Sequence, residues 1–517
     1  MNLCIAQIAE ACGGRLVLRT NADAKFRVSS VVLDSRLVTE GGVFVATVGE
    51  RVDGHKFIPD VLAKGACLVV AEKTPEQVEA EHGVSKEDWG NYILVDNSFQ
   101  ALKDIAEAYR KTLSIPIVGI TGSVGKTSTK EYIAGVLAEK YHVLKTEGNF
   151  NNEIGVPLTL LRIRKEHQAA VVEMGINQFG EMHRLSKMVR PNVCVITNIG
   201  DCHLENLGTR DGVLKAKSEI FDYMAEDGVI CLNGDDVKLS AVTEVKGKKT
   251  HFFGLDQENL AEKLSDVEGR MPFRKEVCAT NIVSKGLWGS EAVLHIRKEQ
   301  DGLLEERTID IQVSQPGRHM VINAAAAACV GTQLGLSEEQ IAEGIRKVVP
   351  VTGRNHLIQL PDCTLIDDCY NANPISMKAA LDLLQMADGE KVAILGDMFE
   401  LGAESDAMHF EIGMYAIDAG TDRLYCVGES ARHMYEAAVK RLGNVELPAN
   451  TDMVAGPGET RQMDVEAPAV LYFASRQLLE EALQEKREEL LPKGCTILLK
   501  ASHGMQFEKL IEKKLFE

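Results

Sequence analysis

At 517 residues the chain is too long for a single hydrophobic core, and about 150 residues per domain suggests three. Hydrophobic residues make up 45% and charged residues 26%, and 57 basic against 76 acidic side chains leave a net charge of −19. That acidity argues against nucleic acid or anionic lipid as the main partner, although a basic pocket for phosphates can sit inside an acidic protein. The twelve cysteines form no C-x-x-C pair and sit mostly in apolar patterns, so reduced buried thiols are expected.

The start, M-N-L-C-I-A-Q-I-A-E-A-C-G-G, lacks a basic leader and reads as a short amphipathic helix stopped by glycine, with no signal peptide. From Phe26 to about Val70 short strands alternate with glycine turns, and two of them frame Asp34-Ser35-Arg36. Ser35 and Arg36 read either as contacts to a phosphorylated ligand or, for Arg36 with Asp34, as a surface ion pair. Asp53-Gly54-His55 reads as turn chemistry before it reads as a site.

Ser98 to Thr112 is helical by period and leads to I-P-I-V-G-I-T-G-S-V-G-K-T-S-T-K-E, residues 115–131. An apolar strand, Ile117 to Ile120, runs into a glycine loop with a helix behind it, the context that a phosphate-binding loop requires. Gly122 and Gly125 let backbone N–H groups turn inward, Lys126 can reach terminal phosphates and the Thr127 hydroxyl can bind Mg²⁺. The generic motif places a glycine where this chain has Ile120.

Beyond the loop, strands and helices alternate as in a mostly parallel sheet. One strand, Ala169 to Gly175, ends in Glu173, and another, Val193 to Gly200, leads to His203. Ligands bind outside the carboxyl ends of such strands, so both residues are candidates to meet the loop, with Glu173 the stronger metal candidate. Asp211 to Ala225 looks helical; Lys215 and Lys217, two apart, face different sides, so only one can point into a site. Residues 241–315 turn β-rich, with a hairpin about Asp301-Gly302, and read as an insertion. The uncharged run Met320 to Ser337 fits a buried helix better than a membrane span. The last third resumes strand logic at T-L-I-D-D-C-Y-N-A-N-P and reads as a second doubly wound domain, with residues 447–468 a loop without assigned chemistry.

The succession D-G-H-x-F-I, T-G-S-x-G-K-T-S-T-K-E, N-F-N-N-E-I-G-V-P-L-T-L, E-M-G, T-N-I-G-x-x-H-L-E, A-K-S-E-I-F, D-D-C-Y-N-A-N-P and L-G-D-M-x-E-L-G spans essentially the whole chain. It resembles the Mur ligases of peptidoglycan precursor synthesis, and within them the member that joins D-alanyl-D-alanine to a UDP-N-acetylmuramoyl-tripeptide. The family's own loop, T-G-[ST]-x-G-K-T, accounts for Ile120.

The resemblance implies an α/β protein of three domains. These are a small N-terminal α/β domain for the UDP precursor (1–112), a central P-loop parallel-sheet ATPase domain with a β-rich insertion (113–351) and a C-terminal Rossmann-like domain (352–517). It implies a cytoplasmic, monomeric, ATP- and Mg²⁺-dependent amide ligase working through an acyl phosphate. Gly122, Ser123, Gly125, Lys126, Thr127 and Ser128 hold the nucleotide in that reading, with Asn323 and Asn371 at adenine, Asp368 at ribose and Arg354 at the phosphates. Thr127, Glu173, His203 and a carbamylated Lys217 serve the metals; Lys126, Lys217 and His203 form the catalytic set; Ser35 and Arg36 contact the uridine nucleotide. One departure stands out: Lys500-Ala501-Ser502 has alanine where K-G-S is usual, which leaves Lys500 outside the expected set. A sister ligase adding a single amino acid (diaminopimelate or lysine), an inactive nucleotide-binding homologue and a plain P-loop phosphotransferase are the alternatives.

Overall fold

The computed structural model describes residues 1–19, 23–49, 52–256, 275–300, 303–350, 352–443 and 468–516. The hairpin turn at Asp301-Gly302 and nearly all of the 447–468 stretch lie outside the described residues. The chain groups into two compact units, each assembled from separate stretches. Unit 1 comprises residues 1–121, 140–195 and 217–230; unit 2 comprises 122–139, 196–216 and 231–517.

Unit 1 opens with a five-stranded sheet of β1 (Arg15–Val17), β2 (Val31–Val32), β3 (Val43–Val45), β4 (Leu68–Ala71) and β5 (Tyr92–Leu94), in the order β1-β5-β4-β3-β2. β2 to β5 pair in parallel and β1 runs antiparallel to β5. Its β-branched strands close on Phe44, Val69 and the edge-on pair Trp89–Tyr92. The helix Ser98–Lys111 follows, with Asn97 capping Gln100 N. Then come β6 (Ile117–Thr121), β7 (Val143–Lys145), β8 (Ala169–Glu173) and β9 (Val193–Ile196), in the order β7-β8-β6-β9, and β10 (Val229–Asn233), whose last three residues belong to unit 2. β6 and β8 are buried along their whole length, as strands covered on both faces must be. Their parallel pairing sets Ile120 opposite Glu173, so β6 ends one residue beyond β8.

The helix expected over 211–225 is shorter, Arg210–Ser218, followed by a 3₁₀ turn at Glu219–Phe221. The reason is local to unit 1: the Glu219 carboxylate accepts hydrogen bonds from Gly180 N and His183 N, and Ile220 O accepts one from Ser186 Oγ. Residue 219 therefore serves the start of the helix Glu181–Val189 instead of prolonging its own.

Unit 2 carries the helix Lys126–Ala138 and then β11 (Glu244–Val245), β12 (Lys248–Leu255), β13 (Val277–Ser284), β14 (Ser290–Gln300) and β15 (Leu303–Val313). β12 and β13 are parallel, and β13, β14 and β15 form an antiparallel meander, the β-rich portion expected from the sequence. The helix Arg318–Gln333 buries all five alanines, Ala324 to Ala328. The remaining strands are β16 (His356–Gln359), β17 (Cys363–Asp367), β18 (Lys391–Gly396), β19 (Arg423–Val427), β20 (Ala469–Phe473) and β21 (Cys495–Lys500). Their order is β16-β17-β21-β18-β19-β20; all neighbours are parallel except the antiparallel edge pair β16–β17. This is a doubly wound sheet, and β21 separates the sequence neighbours β17 and β18.

All twelve cysteines are free thiols, nine of them buried. Among the described residues no helix is long and apolar enough to cross a membrane.

Candidate active site

A cavity of about 250 Å³ in unit 2 gathers stretches far apart in sequence, among them the glycine loop, the start of the alanine-rich helix, and the ends of β17 and β21. Of the residues expected to hold a nucleotide, Ser123, Gly125, Lys126, Thr127, Ser128, Asn323, Arg354, Asp368 and Asn371 line it.

The loop's shape follows from its sequence. Ile120 is fully buried within β6, so the chain cannot turn there and turns two residues later. Gly122 has φ +152°, and a Cβ on it would stand 1.9 Å from Thr197 Oγ1. Gly125, at φ +80°, starts the helix Lys126–Ala138, whose free N–H groups and dipole favour an anion. The segment T-N-I-G grips the loop from behind: Asn198 Oδ1 accepts from Val124 N, while Thr197 Oγ1 and Asn198 Nδ2 donate to Val124 O. Ser123 Oγ accepts from Gly200 N at 2.8 Å. Thr197 and Asn198 belong to the motif T-N-I-G-x-x-H-L-E, but nothing in their spacing marks them as loop braces, because their bonds to the loop span more than 70 residues. Lys126 folds over this loop, donating to Gly122 O at 2.8 Å.

Across the cavity, Asn323 Oδ1 accepts from Thr129 Oγ1 at 2.9 Å and its Nδ2 donates to Met320 Sδ at 3.4 Å. Asp367 and Asp368 brace the turn that carries Arg354: Asp367 Oδ2 accepts from Gly353 N, and Asp368 Oδ1 from Asn355 N. The Arg354 guanidinium lies 4.1 Å from the centre of the Tyr370 ring, which in turn stacks with His503. In N-A-N-P both asparagines, Asn371 and Asn373, line the cavity, and Asn373 also caps the helix Pro374–Gln385 with Pro374 at its first turn.

Lys500 also lines the cavity, 2.6 Å from Asp368 Oδ2. The alanine that set it aside is accommodated by a glycine elsewhere: Ala501 is fully buried, and a Cβ on Gly396 would come within 2.7 Å of its methyl group. The methyl missing from residue 396 makes room for the one at 501, so the departure leaves Lys500 in place.

The metal candidates are distributed between the units. In unit 1, Glu173 is 1% exposed; its Oε1 accepts from Asn151 Nδ2 at 2.8 Å and its N–H bonds Thr146 Oγ1. Asn151 comes from the N-F-N-N-E-I-G motif, and a Cβ on Gly175 would crowd its amide at 3.0 Å. Lys217 is 1% exposed whereas Lys215 is exposed, so the two lysines face different sides as their spacing predicts. In unit 2, His203 does not line the cavity; it stands at φ +52° with Nδ1 2.8 Å from Glu400 Oε2, and Glu400 is itself at φ +63°. The bond to His203 holds the Glu400 carboxyl below its usual range.

Arg36 is 85% exposed in unit 1 and forms the ion pair with Asp34, Nε to Oδ1 at 2.9 Å and NH2 to Oδ2 at 2.7 Å. Arg36 brings the Asp34 carboxyl down to about 2. Ser35 offers its carbonyl to Lys64 Nζ. Asp53-Gly54-His55 is turn chemistry, as its residue types suggest: Asp53 caps His55 N and bonds His55 Nδ1, Lys73 Nζ and His82 Nε2, while the buried His55 Nε2 accepts from Glu72 N and Lys73 N. Asp53, Glu81 and His82 cluster closely enough for a metal, but the Lys73 ammonium bonds both carboxylates there.

Three descriptions of known families match the chain: the Mur ligase family catalytic domain over residues 27–110, the Mur ligase middle domain over 120–331, and the Mur ligase glutamate ligase domain over 353–503. UDP-N-acetylmuramoyl-tripeptide-D-alanyl-D-alanine ligase of Bacillus subtilis is 32% identical, covering 94% of this chain and 93% of its own. The Escherichia coli ligase of the same name is 32% identical over 85% and 88%. A crystal structure of MurF from Acinetobacter baumannii superposes with a TM-score of 0.79 at 28% identity, over 99% of both chains. MurF ligase of Thermotoga maritima, solved in complex with ADP, gives 0.70 at 27% identity over 94% and 97%. The chain belongs to the Mur ligase family.

Proposed function

We propose that this protein is the ATP-dependent ligase that joins D-alanyl-D-alanine to a UDP-N-acetylmuramoyl-tripeptide. The observation that carries the reading is the near end-to-end similarity to ligases of that name. The cavity on the glycine loop, lined by most of the residues expected to hold a nucleotide, supports it.

The chemistry follows from the groups involved. A carboxylate is a poor electrophile, so the tripeptide carboxylate must first take the terminal phosphoryl group of ATP; the amine of the dipeptide then attacks the acyl phosphate and phosphate leaves. The first step brings two anions together, and catalysis there is positioning plus charge neutralisation. Loop N–H groups and the N-terminus of the helix Lys126–Ala138 bind the phosphates, and Lys126 swings from Gly122 O onto the terminal ones. Asn323 and Asn371 meet adenine, Asp368 the ribose and Arg354 the phosphates.

Mg²⁺ requires hard oxygen donors, and the residues fit: Thr127 offers a hydroxyl, and Glu173 a buried carboxylate that closes an apolar strand with one oxygen on a neutral amide. Thr127, Glu173, His203 and Lys217 would hold the metal ions, which supply neutralisation of the gathered charge when bound. Lys217, as a carbamate, would add oxygen donors to that set. Ser35 and Arg36 contact the uridine nucleotide, with Arg36 exchanging Asp34 for a phosphate. The division 1–112, 113–351 and 352–517 assigns these tasks to precursor binding, ATP binding and closure over the site.

The experiment is a substrate screen: phosphate release from ATP should require both a UDP-muramoyl-tripeptide and D-alanyl-D-alanine. Equal turnover with a lone amino acid as the amine contradicts the reading.

A further inference from the structure

Lys500 ends β21, the strand inserted between β17 and β18 and parallel to both. That is a topological switch point, where the crevice beyond the strand ends takes ligands. Asp368 directly follows β17, and the pairing of Asp367 with Leu499 brings it beside Lys500 although 132 residues separate them. Lys500 is 1% exposed, and its ammonium lies 2.6 Å from Asp368 Oδ2, 2.9 Å from Asn371 O and 3.4 Å from Asp368 O. An ammonium has three protons, and three acceptors of this chain surround it, so Lys500 meets a ligand through Asp368 instead of directly. Asp368 is held at both oxygens, Oδ1 by Asn355 N at 3.2 Å and Oδ2 by Lys500, which fixes the plane of its carboxylate. Each oxygen keeps a second lone pair, and the residue lines the cavity.

We propose that Lys500 is a positioning residue of the nucleotide site: it fixes Asp368 toward the ribose hydroxyls and so sets the preference for a ribonucleotide over a deoxyribonucleotide. The proposal rests on the reading of Asp368 as the ribose contact. It gives Lys500 a task distinct from stability, because a buried pair serving the fold alone would not sense the 2′-hydroxyl.

The test is calorimetric titration of the full chain with ADP and with 2′-deoxy-ADP, alongside thermal unfolding. A hydrogen bond to a charged group predicts that the unaltered protein prefers ADP by about tenfold or more. Lys500→Met should bring the ratio near one, as should Asp368→Asn. If Lys500→Met lowers thermal stability but keeps the ratio, while Asp368→Asn abolishes it, the proposal is overturned and the ribose reading stands. If neither change alters the ratio, or the unaltered protein shows none, the ribose reading itself falls. Should Lys500→Met fail to fold, Lys500→Gln retains a donor and should reduce the ratio; an unchanged ratio again overturns the proposal.

Discussion

A Cβ on Gly122 would stand 1.9 Å from Thr197 Oγ1, the hydroxyl that donates a 2.6 Å hydrogen bond to Val124 O. The loop and its brace are thus fitted to each other at one glycine. Gly122→Ala should displace the loop and weaken ADP binding by about tenfold or more, since the φ of +152° also disfavours a side chain. Removing the clash in Gly122→Ala/Thr197→Ala should recover part of that loss. Calorimetry with ADP checks both, and undiminished binding by the single variant contradicts the fit described.

The half-buried Lys126 turns its ammonium onto carbonyls of its own loop, Gly122 O and Ser123 O. Lys126→Met should leave the melting temperature close to that of the unaltered protein, since the loop is held independently by Thr197, Asn198 and Gly200. Phosphate release should nonetheless fall about a thousandfold, the scale on which a lost charge-stabilising donor is felt. A variant that melts much earlier would mean that the lysine serves the fold.

Lys215 and Lys217 make a paired control. Lys215→Ala, on the exposed side, should change activity and stability little, within about 0.5 kcal/mol. Lys217→Arg should inactivate although it keeps the charge, because a guanidinium cannot become a carbamate. Turnover of the unaltered protein should also fall in CO₂-depleted buffer and return with bicarbonate; indifference to bicarbonate contradicts carbamylation.

Asp53 ties the N-terminal sheet domain to acid. Partial burial pushes its carboxyl up, but the bonds from Lys73, His55 N, His82 and His55 outweigh that, and the net effect is a carboxyl well below its usual range. A depressed carboxyl contributes stability above its unfolded value near 3.9, and that contribution is lost as pH falls through the folded one. Asp53→Asn should cost about 1–2 kcal/mol near neutral pH, less than a fully buried pair because the site is partly solvated, and the cost should shrink below about pH 4. Thermal unfolding of both proteins from pH 7 to 3 measures it.

What the sequence disclosed is mostly what neighbours in the chain decide. The strand, the glycine loop and the helix opening behind it follow from an apolar run, two glycines and a polar helix start, and the structure extends the strand by one residue, to Thr121, and starts the helix at Lys126. Glu173 closes its strand as its pattern indicates. Non-local fits stayed hidden. The helix after Arg210 stops at Ser218 because Glu219 caps another helix, a fact absent from the local period. The pair Gly396–Ala501 and the ion pair Lys500–Asp368 join residues more than 100 apart, and no spacing rule connects them. The interleaved units have the same cause: five passages of the chain between them leave no composition shift to read. For Arg36 the residues allowed two readings; the structure shows the ion pair with Asp34, with the guanidinium exposed.

The most direct test of the central claim is phosphate release from ATP by the purified full chain with each substrate withheld in turn. A ligase of this specificity releases phosphate only when ATP, a UDP-muramoyl-tripeptide and D-alanyl-D-alanine are all present, with one phosphate per amide bond formed. Sustained release without the dipeptide, or with a single amino acid in its place, would contradict it.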